Sequence, residues 1–232
     1  MPRARSHAAK MFVWRRKTIA DVNVKFPLNE LRKRARILVV DDDPSAFPHK
    51  LLQKEGYNVT YWQSIENLRD LENSEYDIIV LDIRDIAGPD VSATGGLGIL
   101  SHIKKYNPAQ IVIAYSGQKY DLRHAEFWNI ADDYLGKPSS LLDCKQKIDS
   151  LLEHKFNANY YADVLRKLLR DQGVDEKQIR KLESMVAKKK DDTSEISTDT
   201  IARLTGVAKD VASVASTIIE VIIRLLHHTA AS

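Results

Sequence analysis

The sequence contains little cysteine and no long apolar run. Cys144 is the only cysteine among 232 residues, so an intrachain disulfide cannot form and a reducing compartment is expected. Its neighbours Leu141 and Ile148 fall on the same helix face, which predicts a buried thiol rather than a reactive one. No apolar stretch is long enough to cross a bilayer, and the basic N-terminus lacks the apolar core of a signal peptide. We therefore expect a cytoplasmic protein.

An excess of positive charge is confined to the N-terminus. Residues 1–36 contain eleven Lys/Arg and two Asp/Glu, a net charge of +9, whereas the remaining residues have a net charge of −6. A basic N-terminal extension, residues 1–35, is expected to be attracted to nucleic acid or to an anionic surface. The alternative is a solvated extension without a partner.

Apolar, β-branched runs alternate with helical patterns between Arg36 and about His154. The predicted strands are Ile37–Val40, Tyr57–Trp62, Tyr76–Leu81, Ile111–Tyr115 and Asp133–Leu135. The predicted helices are Pro44–Glu55 (with a first turn distorted by Pro48), Ser64–Leu71, Leu97–Lys105, Leu122–Ile130 and Ser140–Glu153, with Ser64 and Ser140 as caps. This alternation predicts an α/β fold with a five-stranded, parallel, doubly wound sheet that helices cover on both faces.

Polar side chains follow most of the predicted strands. The first strand leads into Asp41 and Asp42, the third ends on Asp82, the fourth on Ser116, and Lys137 follows the fifth. The carboxyl ends of parallel strands lie at one edge of the sheet, where ligand sites form. Neighbouring carboxylates repel each other and lose hydration when buried. Their convergence therefore predicts a site for a cation.

Four sequence motifs at these strand ends resemble those of receiver domains in two-component response regulators. They are Val39-Val-Asp-Asp-Asp-Pro44, Ile78-Ile-Val-Leu-Asp82, Ile111-Val-Ile-Ala-Tyr-Ser-Gly117 and Asp132-Asp-Tyr-Leu-Gly-Lys-Pro138. The resemblance covers about residues 36–155 and implies a flavodoxin-like fold. It also implies a phosphoprotein of a phosphorelay, which receives its phosphoryl group from a sensor histidine kinase or a phosphotransfer protein. Such a protein is a switch rather than an enzyme, since it assists only its own phosphorylation and dephosphorylation.

The resemblance implies a magnesium site around the phosphoryl acceptor. Asp82 would be the nucleophile that accepts the phosphoryl group and a direct ligand of Mg²⁺. Asp42 would bind the ion directly and Asp41 through water, and the backbone carbonyl of Arg84 would complete the protein ligands. Asp43 is expected to cap a helix.

Three further residues would act on the phosphoryl group or respond to it. Lys137 and Ser116 would contact phosphoryl oxygens, and Tyr134 would be the aromatic switch that turns inward as Ser116 moves. The loop between Asp82 and Gly96 is about six residues longer than in many receivers. Arg84 and Gln118 occupy positions that influence the lifetime of the phosphoryl group in this family.

The residues beyond 155 resemble no known output domain. We predict a helical hairpin (156–187) with a second helix capped by Asp175, then a linker (188–199) and a C-terminal amphipathic helix (200–232). The main hypothesis for the output is protein–protein association through these helices. The alternative is DNA binding by the basic extension and the hairpin, although the charges of the hairpin are close to balanced.

Apolar residues occupy most of the surface of the predicted helix Val207–Leu226, more than one core requires. The helix is expected to dock on a second copy of the chain, as a homodimer, or to fold onto its own hairpin. A membrane surface is a weaker candidate, because the polar stripe has few cations to meet lipid headgroups. His227 and His228 lack evident metal partners and are expected to form a solvated helix end.

Overall fold

A five-stranded parallel sheet forms the centre of the structure, a computed structural model that describes residues 17–72, 74–83, 86, 95–117, 129–191 and 194–227. The strand order is β2-β1-β3-β4-β5, which confirms the predicted doubly wound, flavodoxin-like sheet. The strands are β1 (Arg36–Val40), β2 (Asn58–Trp62), β3 (Ile78–Asp82), β4 (Ile111–Ser116) and β5 (Asp133–Gly136). All pairings are parallel, so the carboxyl ends of all five strands face the same edge.

Helices on both faces bury the central strands, which explains why these strands are almost entirely apolar. Alternate residues point to opposite faces, as the two-residue period of a strand requires. Ile37 and Val39 belong to a core that continues into the N-terminal and C-terminal helices. Leu38 and Val40 belong to a second core on the other face, with Ile99 and other residues of the helix Gly96–Tyr106.

Three α-helices of the sheet domain lie close to their predicted positions: α3 (His49–Lys54), α4 (Gly96–Tyr106) and α5 (Leu141–His154). The helix predicted over Pro44–Glu55 begins only after Pro48. The predicted capping box of α5 is confirmed, with reciprocal hydrogen bonds between Ser140 and Asp143. Most of the helix predicted over Leu122–Ile130 lies outside the described residues.

The α-helix predicted over Ser64–Leu71 is wrong. The segment contains a single 3-10 turn, Leu68–Leu71, which is capped by the Asn67 side chain and not by Ser64. The backbone N–H of Ile65 donates a hydrogen bond to the carbonyl of Ile86 at 2.8 Å. This tertiary hydrogen bond stands where the first turn of the helix was expected.

The single cysteine is buried as predicted. The Cys144 side chain lies on the inner face of α5 and is completely inaccessible to solvent. Burial raises the pKa of the thiol to about 12. The group therefore stays protonated at neutral pH, which suits a packing role.

The C-terminal helical region, residues 156–227, contains four described α-helices: α6 (Ala158–Asp171), α7 (Glu176–Lys188), α8 (Thr198–Thr205) and α9 (Lys209–Leu226). The predicted hairpin corresponds to α6 and α7, and the Asp175 carboxylate accepts hydrogen bonds from two backbone N–H groups of α7. A 3-10 turn and the start of α8 occupy part of the segment predicted as a linker. Gly206, with a φ of 76°, ends α8 in the left-handed conformation that glycine adopts without strain.

The most apolar helix, α9, folds onto its own chain. It packs against α6, α7 and α8, and nine of its residues are buried: Ala212, Ala215, Ile218, Ile219, Val221, Ile222, Ile223, Leu225 and Leu226. Of the partners considered for this helix, its own hairpin is the one that covers the apolar face. His227 is the C-cap of α9, and His228 lies outside the described residues. Among the described residues, no helix has the length and apolar character needed to cross a lipid bilayer.

The N-terminal segment, residues 17–35, is packed on the rest of the molecule, so the expectation of a solvated extension is wrong for these residues. Its two helices are α1 (Ile19–Val22), which packs on α6 and α7, and α2 (Leu28–Arg34), which packs on α5. Ile19 is completely buried, and Arg32 forms an ion pair of 2.6 Å with Asp149 of α5. The segment thus connects the sheet domain to the C-terminal helical region. Residues 1–16 lie outside the described residues.

A buried carboxylate at the amino edge of the sheet also joins these two parts. The Asp77 side chain is inaccessible to solvent and accepts a hydrogen bond of 2.8 Å from the backbone N–H of Arg36. The guanidinium of Arg224, in α9, donates to the other carboxylate oxygen. A buried carboxylate needs cations or hydrogen-bond donors as partners. Arg224 of the C-terminal helix is one of these partners, so α9 helps to stabilise Asp77 immediately before β3.

Candidate functional site

Three carboxylates meet at the carboxyl edge of the sheet, as the strand ends predict. Asp41 and Asp42 follow β1, and Asp82 is the last residue of β3. One oxygen from each residue lies within 4.8 Å of the others, and among the described residues this is the one group of three or more potential metal-ligating side chains. Asp41 and Asp82 are buried, whereas Asp42 is exposed, so the cluster opens to solvent on one side.

A lysine contacts two of the three carboxylates. The Lys137 ammonium lies 2.6 Å from Asp41 Oδ2 and 2.8 Å from Asp82 Oδ2. It also lies 4.9 Å from the centre of the Tyr115 ring, in cation–π contact. Three ionised carboxylates and one ammonium leave a net charge of −2, which corresponds to the charge of one divalent cation.

Burial and mutual contact shift the pKa values of this group. Burial raises the pKa of Asp82, the Lys137 ammonium opposes that shift, and the neighbouring Asp41 adds to it. Burial acts to lower the pKa of Lys137, but its hydrogen bonds to Asp41 and Asp82 outweigh this effect and raise it. The lysine therefore remains charged at neutral pH, and a further cation at the cluster would favour the ionised form of Asp82.

The donor set fits Mg²⁺. This ion prefers carboxylate, carbonyl and water oxygens and retains several waters in its coordination shell. The cluster offers carboxylate oxygens only, and the exposed side at Asp42 leaves room for water. The fourth predicted ligand, the carbonyl of Arg84, lies outside the described residues.

Ser116 lies on β4, which pairs with the strand of Asp82, and Tyr134 lies on β5, one strand further. Ser116 ends β4 and is buried, and its carbonyl accepts a hydrogen bond of 2.7 Å from the backbone N–H of Lys137. Tyr134 lies on β5 opposite Ala114, and 37% of its surface is exposed. Its ring thus has a partly solvent-exposed position. Gln118, beyond Ser116, lies outside the described residues.

The expectation that Asp43 caps a helix is wrong in detail. Its carboxylate accepts hydrogen bonds from the backbone N–H and the hydroxyl of Ser45, at 2.8 and 2.7 Å, and these bonds lower its pKa. Ser45 lies in a turn, and α3 begins only at His49. Asp43 therefore stabilises the turn that follows the acidic pair, and it takes no part in the three-carboxylate cluster.

A glycine missed by the sequence analysis holds α4 against the end of β3. A Cβ atom on Gly96 would lie 2.5 Å from the carbonyl oxygen of Asp82 and 2.6 Å from the Cα of Ile83. Only glycine permits so close an approach of two backbone segments. The position of Asp82 thus depends on Gly96, and the long preceding loop gives no sequence signal for this contact.

Two tyrosines that the sequence analysis also missed contact the loop of the acidic pair. The hydroxyl of Tyr61 in β2 donates a hydrogen bond to the carbonyl of Asp41. The hydroxyl of Tyr115 in β4 donates to the carbonyl of Ala46. Strand alternation predicts the face on which each ring lies, but the sequence has no spacing that would indicate which carbonyl a hydroxyl meets.

Comparison with known proteins identifies the sheet domain. The family model described as the response regulator receiver domain matches residues 37–149. This range contains all three carboxylates of the cluster, Ser116 and Lys137. A search of curated protein sequences found no match.

Solved structures similar to this chain are receiver domains and response regulators. A receiver domain protein (CheY-like) from Methanospirillum hungatei JF-1 is 28% identical over 52% of this chain and 95% of its own, with a TM-score of 0.44. A receiver domain protein from Clostridium thermocellum is 28% identical over 52% and 96%, with a TM-score of 0.43. A two-component response regulator from Clostridium difficile is 21% identical over 52% and 98%, with a TM-score of 0.44. On the match to the family model, residues 37–149 of this chain are a receiver domain of the two-component response regulator family.

Proposed function

We propose that this protein is a response regulator in which Asp82 accepts a phosphoryl group, in a Mg²⁺-dependent reaction, from a phosphohistidine of a sensor histidine kinase or phosphotransfer protein. Receiver domains are phosphoacceptor switches that bind Mg²⁺ through acidic residues. The observation that carries the proposal is the cluster of three carboxylates, with one oxygen of each within 4.8 Å of the others, and the contact of Lys137 with two of them. This excess of negative charge needs a cation, and it surrounds the carboxylate that would be the nucleophile.

In the proposed reaction, a carboxylate oxygen of Asp82 attacks the phosphorus atom. The P–N bond of the phosphohistidine breaks, its electron pair remains on the imidazole nitrogen, and an acyl phosphate forms on Asp82. Asp41, Asp42 and Asp82 would hold Mg²⁺, which when bound neutralises charge on the phosphoryl oxygens. Lys137, 2.8 Å from Asp82 Oδ2, would exchange its ion pair with Asp82 for one with a phosphoryl oxygen.

Ser116 and Tyr134 would convert the new acyl phosphate into a change of surface. The hydroxyl of Ser116 would donate a hydrogen bond to a phosphoryl oxygen, and Tyr134 would turn inward as Ser116 moves. The exposed fraction of Tyr134, 37%, supports an outward position of this ring in the unmodified protein. The altered surface would involve β4, β5 and the adjoining helices.

The proposed output is protein–protein association through the C-terminal helical region, with a partner protein or with a second copy. The buried face of α9 makes this proposal more specific, since its apolar residues already contact α6, α7 and α8. A homodimer through that face would require α9 to leave its own chain. The proposed contact is therefore made by the outer surface of the assembled helices.

Phosphorylation with a small donor tests the proposal directly. We expect incubation with acetyl phosphate and Mg²⁺ to add one phosphoryl group to the wild type, measured by intact mass. Asp82→Asn should abolish the gain, and Asp42→Asn should reduce it by removing a proposed direct ligand. Asp43→Asn is the matched control, because it changes an adjacent, exposed carboxylate that lies outside the cluster.

The outcome of this experiment is informative in each direction. A wild type that gains no mass, beside a competent control receiver in the same buffer, would contradict the proposed function. A gain that persists in Asp82→Asn would place the acceptor elsewhere. Light scattering on the same samples would then show whether phosphorylation changes the association state.

DNA binding is a second candidate for the output, and one observation favours it. The exposed side chains of α7 include Lys177, Arg180, Lys181 and Lys188, and none of them forms a salt bridge with another described residue. Because α1 packs on α7, the basic N-terminal segment meets the hairpin at this helix. This contact places residues 17–35 of the basic extension beside the hairpin.

We expect only weak, sequence-indifferent binding to duplex DNA, with an affinity that falls steeply with salt. Replacing Lys177, Arg180 and Lys181 by Gln should reduce the slope of log affinity against log salt by about 0.9 per cation. Fluorescence anisotropy of a labelled duplex measures this, with Lys50→Gln and Lys54→Gln in α3 as the control pair of exposed cations. A tight, sequence-selective complex would make DNA binding the leading output.

A further inference from the structure

The two neighbouring carboxylates of the cluster stand on a loop, residues 41–48, rather than on a helix or strand. Within the loop, the backbone N–H of Asp43 donates to Asp41 Oδ1 at 3.0 Å, and that of Ala46 donates to the carbonyl of Asp43 at 3.1 Å. Residues 42–45 are exposed. Because this exposed part of the loop has only a few local hydrogen bonds, contacts from outside the loop are needed to hold the acidic pair in place.

Two tyrosine hydroxyls provide such contacts, one at each end of the loop. Tyr61 donates to the carbonyl of Asp41, at the start, and Tyr115 donates to the carbonyl of Ala46, near the end. In the sheet, β2 and β3 lie on opposite sides of β1, and β4 lies beyond β3. Tyr61 belongs to β2 and Tyr115 to β4. The two hydroxyls thus approach the loop from strands on opposite sides of β1.

Both tyrosine rings are held in place by aromatic side chains from the same part of the chain. Tyr61 stacks on His49, with ring centres 4.6 Å apart and an interplanar angle of 17°. Tyr115 is completely buried and meets the edge of Phe47 at 5.2 Å and 86°. Strand backbone and ring packing together therefore fix where each hydroxyl lies.

We propose that Tyr61 and Tyr115 are positioning residues of the cation site, whose hydroxyls hold loop 41–48 so that Asp41 and Asp42 face Asp82. This inference rests on the proposed function of the site. Neither tyrosine is a ligand; each acts through a backbone carbonyl of the loop. Loss of a hydroxyl leaves that carbonyl without its donor and loosens one end of the loop, so that the binding of Mg²⁺ must also order the loop.

Replacement of each tyrosine by phenylalanine tests the inference, because it removes one oxygen and retains the ring. We expect Tyr61→Phe and Tyr115→Phe each to raise the Mg²⁺ concentration for half-maximal phosphorylation by about tenfold. The rate at saturating Mg²⁺ should stay at the wild-type value, because the reacting groups are unchanged. Tyr57→Phe is the matched control, since its hydroxyl donates to Asp149 at 2.7 Å, away from the cluster, and should leave the Mg²⁺ dependence unaltered.

Calorimetric titration with Mg²⁺ separates failure of this inference from failure of the proposed function. If the wild type binds Mg²⁺ but gains no phosphoryl group, the proposed phosphotransfer is contradicted. The Mg²⁺ affinities of Tyr61→Phe and Tyr115→Phe then still test the inference. A wild type that binds no Mg²⁺ overturns both. If Tyr61→Phe and Tyr115→Phe bind Mg²⁺ with the wild-type affinity, the inference alone is overturned. The same holds if the two variants keep that affinity but have a lower thermal midpoint and a lower rate at saturating Mg²⁺.

Discussion

The two edges of the sheet have opposite charge balances. At the carboxyl edge, three carboxylates face one lysine: Asp41, Asp42, Asp82 and Lys137. At the amino edge, two carboxylates that are nearly inaccessible to solvent are met by four cations: Asp77 by Arg36 and Arg224, and Asp132 by Lys104 and Lys155. The carboxyl edge has an excess of negative charge that an added cation can neutralise, whereas at the amino edge the cations of the protein already outnumber the carboxylates.

The origin of the cations explains the different roles of the two edges. At the amino edge, Arg224 comes from α9, Lys104 from α4, and Lys155 from the residue that follows α5. Each ion pair therefore fixes a helix or a chain segment to the sheet. At the carboxyl edge, Lys137 directly follows β5, two strands from β3, and no other described cation forms a salt bridge with the cluster. The fully paired carboxylates of the amino edge support the fold, whereas the carboxyl edge keeps an excess of negative charge that can bind a cation.

The largest expected effect concerns the amino edge. Asp77→Ala leaves Arg36 and Arg224 without their buried partner, and breaking such a pair costs about 3–5 kcal/mol of stability. We expect this loss in the free energy of unfolding, measured with urea. Asp163→Ala, which removes an exposed carboxylate paired with Arg166 in α6, should change stability little and serves as the control. An equal effect of the two substitutions would show that the buried pair does not join the domains.

A smaller effect of opposite sign is expected at the carboxyl edge without metal. Burial raises the pKa of Asp82, so its ionised form is less favourable in the folded chain than in the unfolded chain. Asp82→Asn removes that charge, and Lys137 keeps its contact with Asp41. We expect Asp82→Asn to raise the thermal midpoint of the metal-free protein slightly, whereas Asp77→Ala should lower it. A drop as large as that of Asp77→Ala would contradict the contrast between the two edges.

Addition of Mg²⁺ sharpens the same comparison. At a Mg²⁺ concentration about one hundred times its dissociation constant, binding should stabilise the wild type by about 2.7 kcal/mol. Asp82→Asn should lose most of this gain, because a proposed ligand is absent. A variant of the amino edge that still folds, such as Asp132→Asn, should keep it. Differential scanning calorimetry of the wild type and of the two variants, with and without Mg²⁺, measures these changes in stability.

Much of the sheet and of the candidate site could be predicted from the sequence because the relevant signals are local. A run such as Ile78–Asp82 indicates a buried strand by its composition, and the polar residue at its end marks the carboxyl edge. The parallel arrangement then places Asp41, Asp42, Asp82 and Lys137 together without knowledge of any contact. The N-caps Ser140 and Asp175 are also local signals and were predicted for the same reason.

The errors arose where a distant partner determined the local structure. The segment Ser64–Leu71 has a helical pattern, but the hydrogen bond from Ile65 to Ile86 gives it another conformation. The N-terminal segment has the charge of a free extension, yet the burial of Ile19 between α6 and α7 fixes it to the molecule. In each case the competing contact joins residues far apart in the sequence, so no window of the sequence contains it.

The sequence by itself thus determined the strands, the polar residues that lie at their carboxyl ends, and the residue types of the candidate site. The tertiary structure alone decided that Arg224 neutralises Asp77, that α9 covers its apolar face with its own chain, and that Tyr61 and Tyr115 contact the acidic loop. The physical reason is the range of the interactions. Periodicity and strand ends are encoded within a few consecutive residues, whereas the partner of a buried charge or of a carbonyl depends on how separate segments pack.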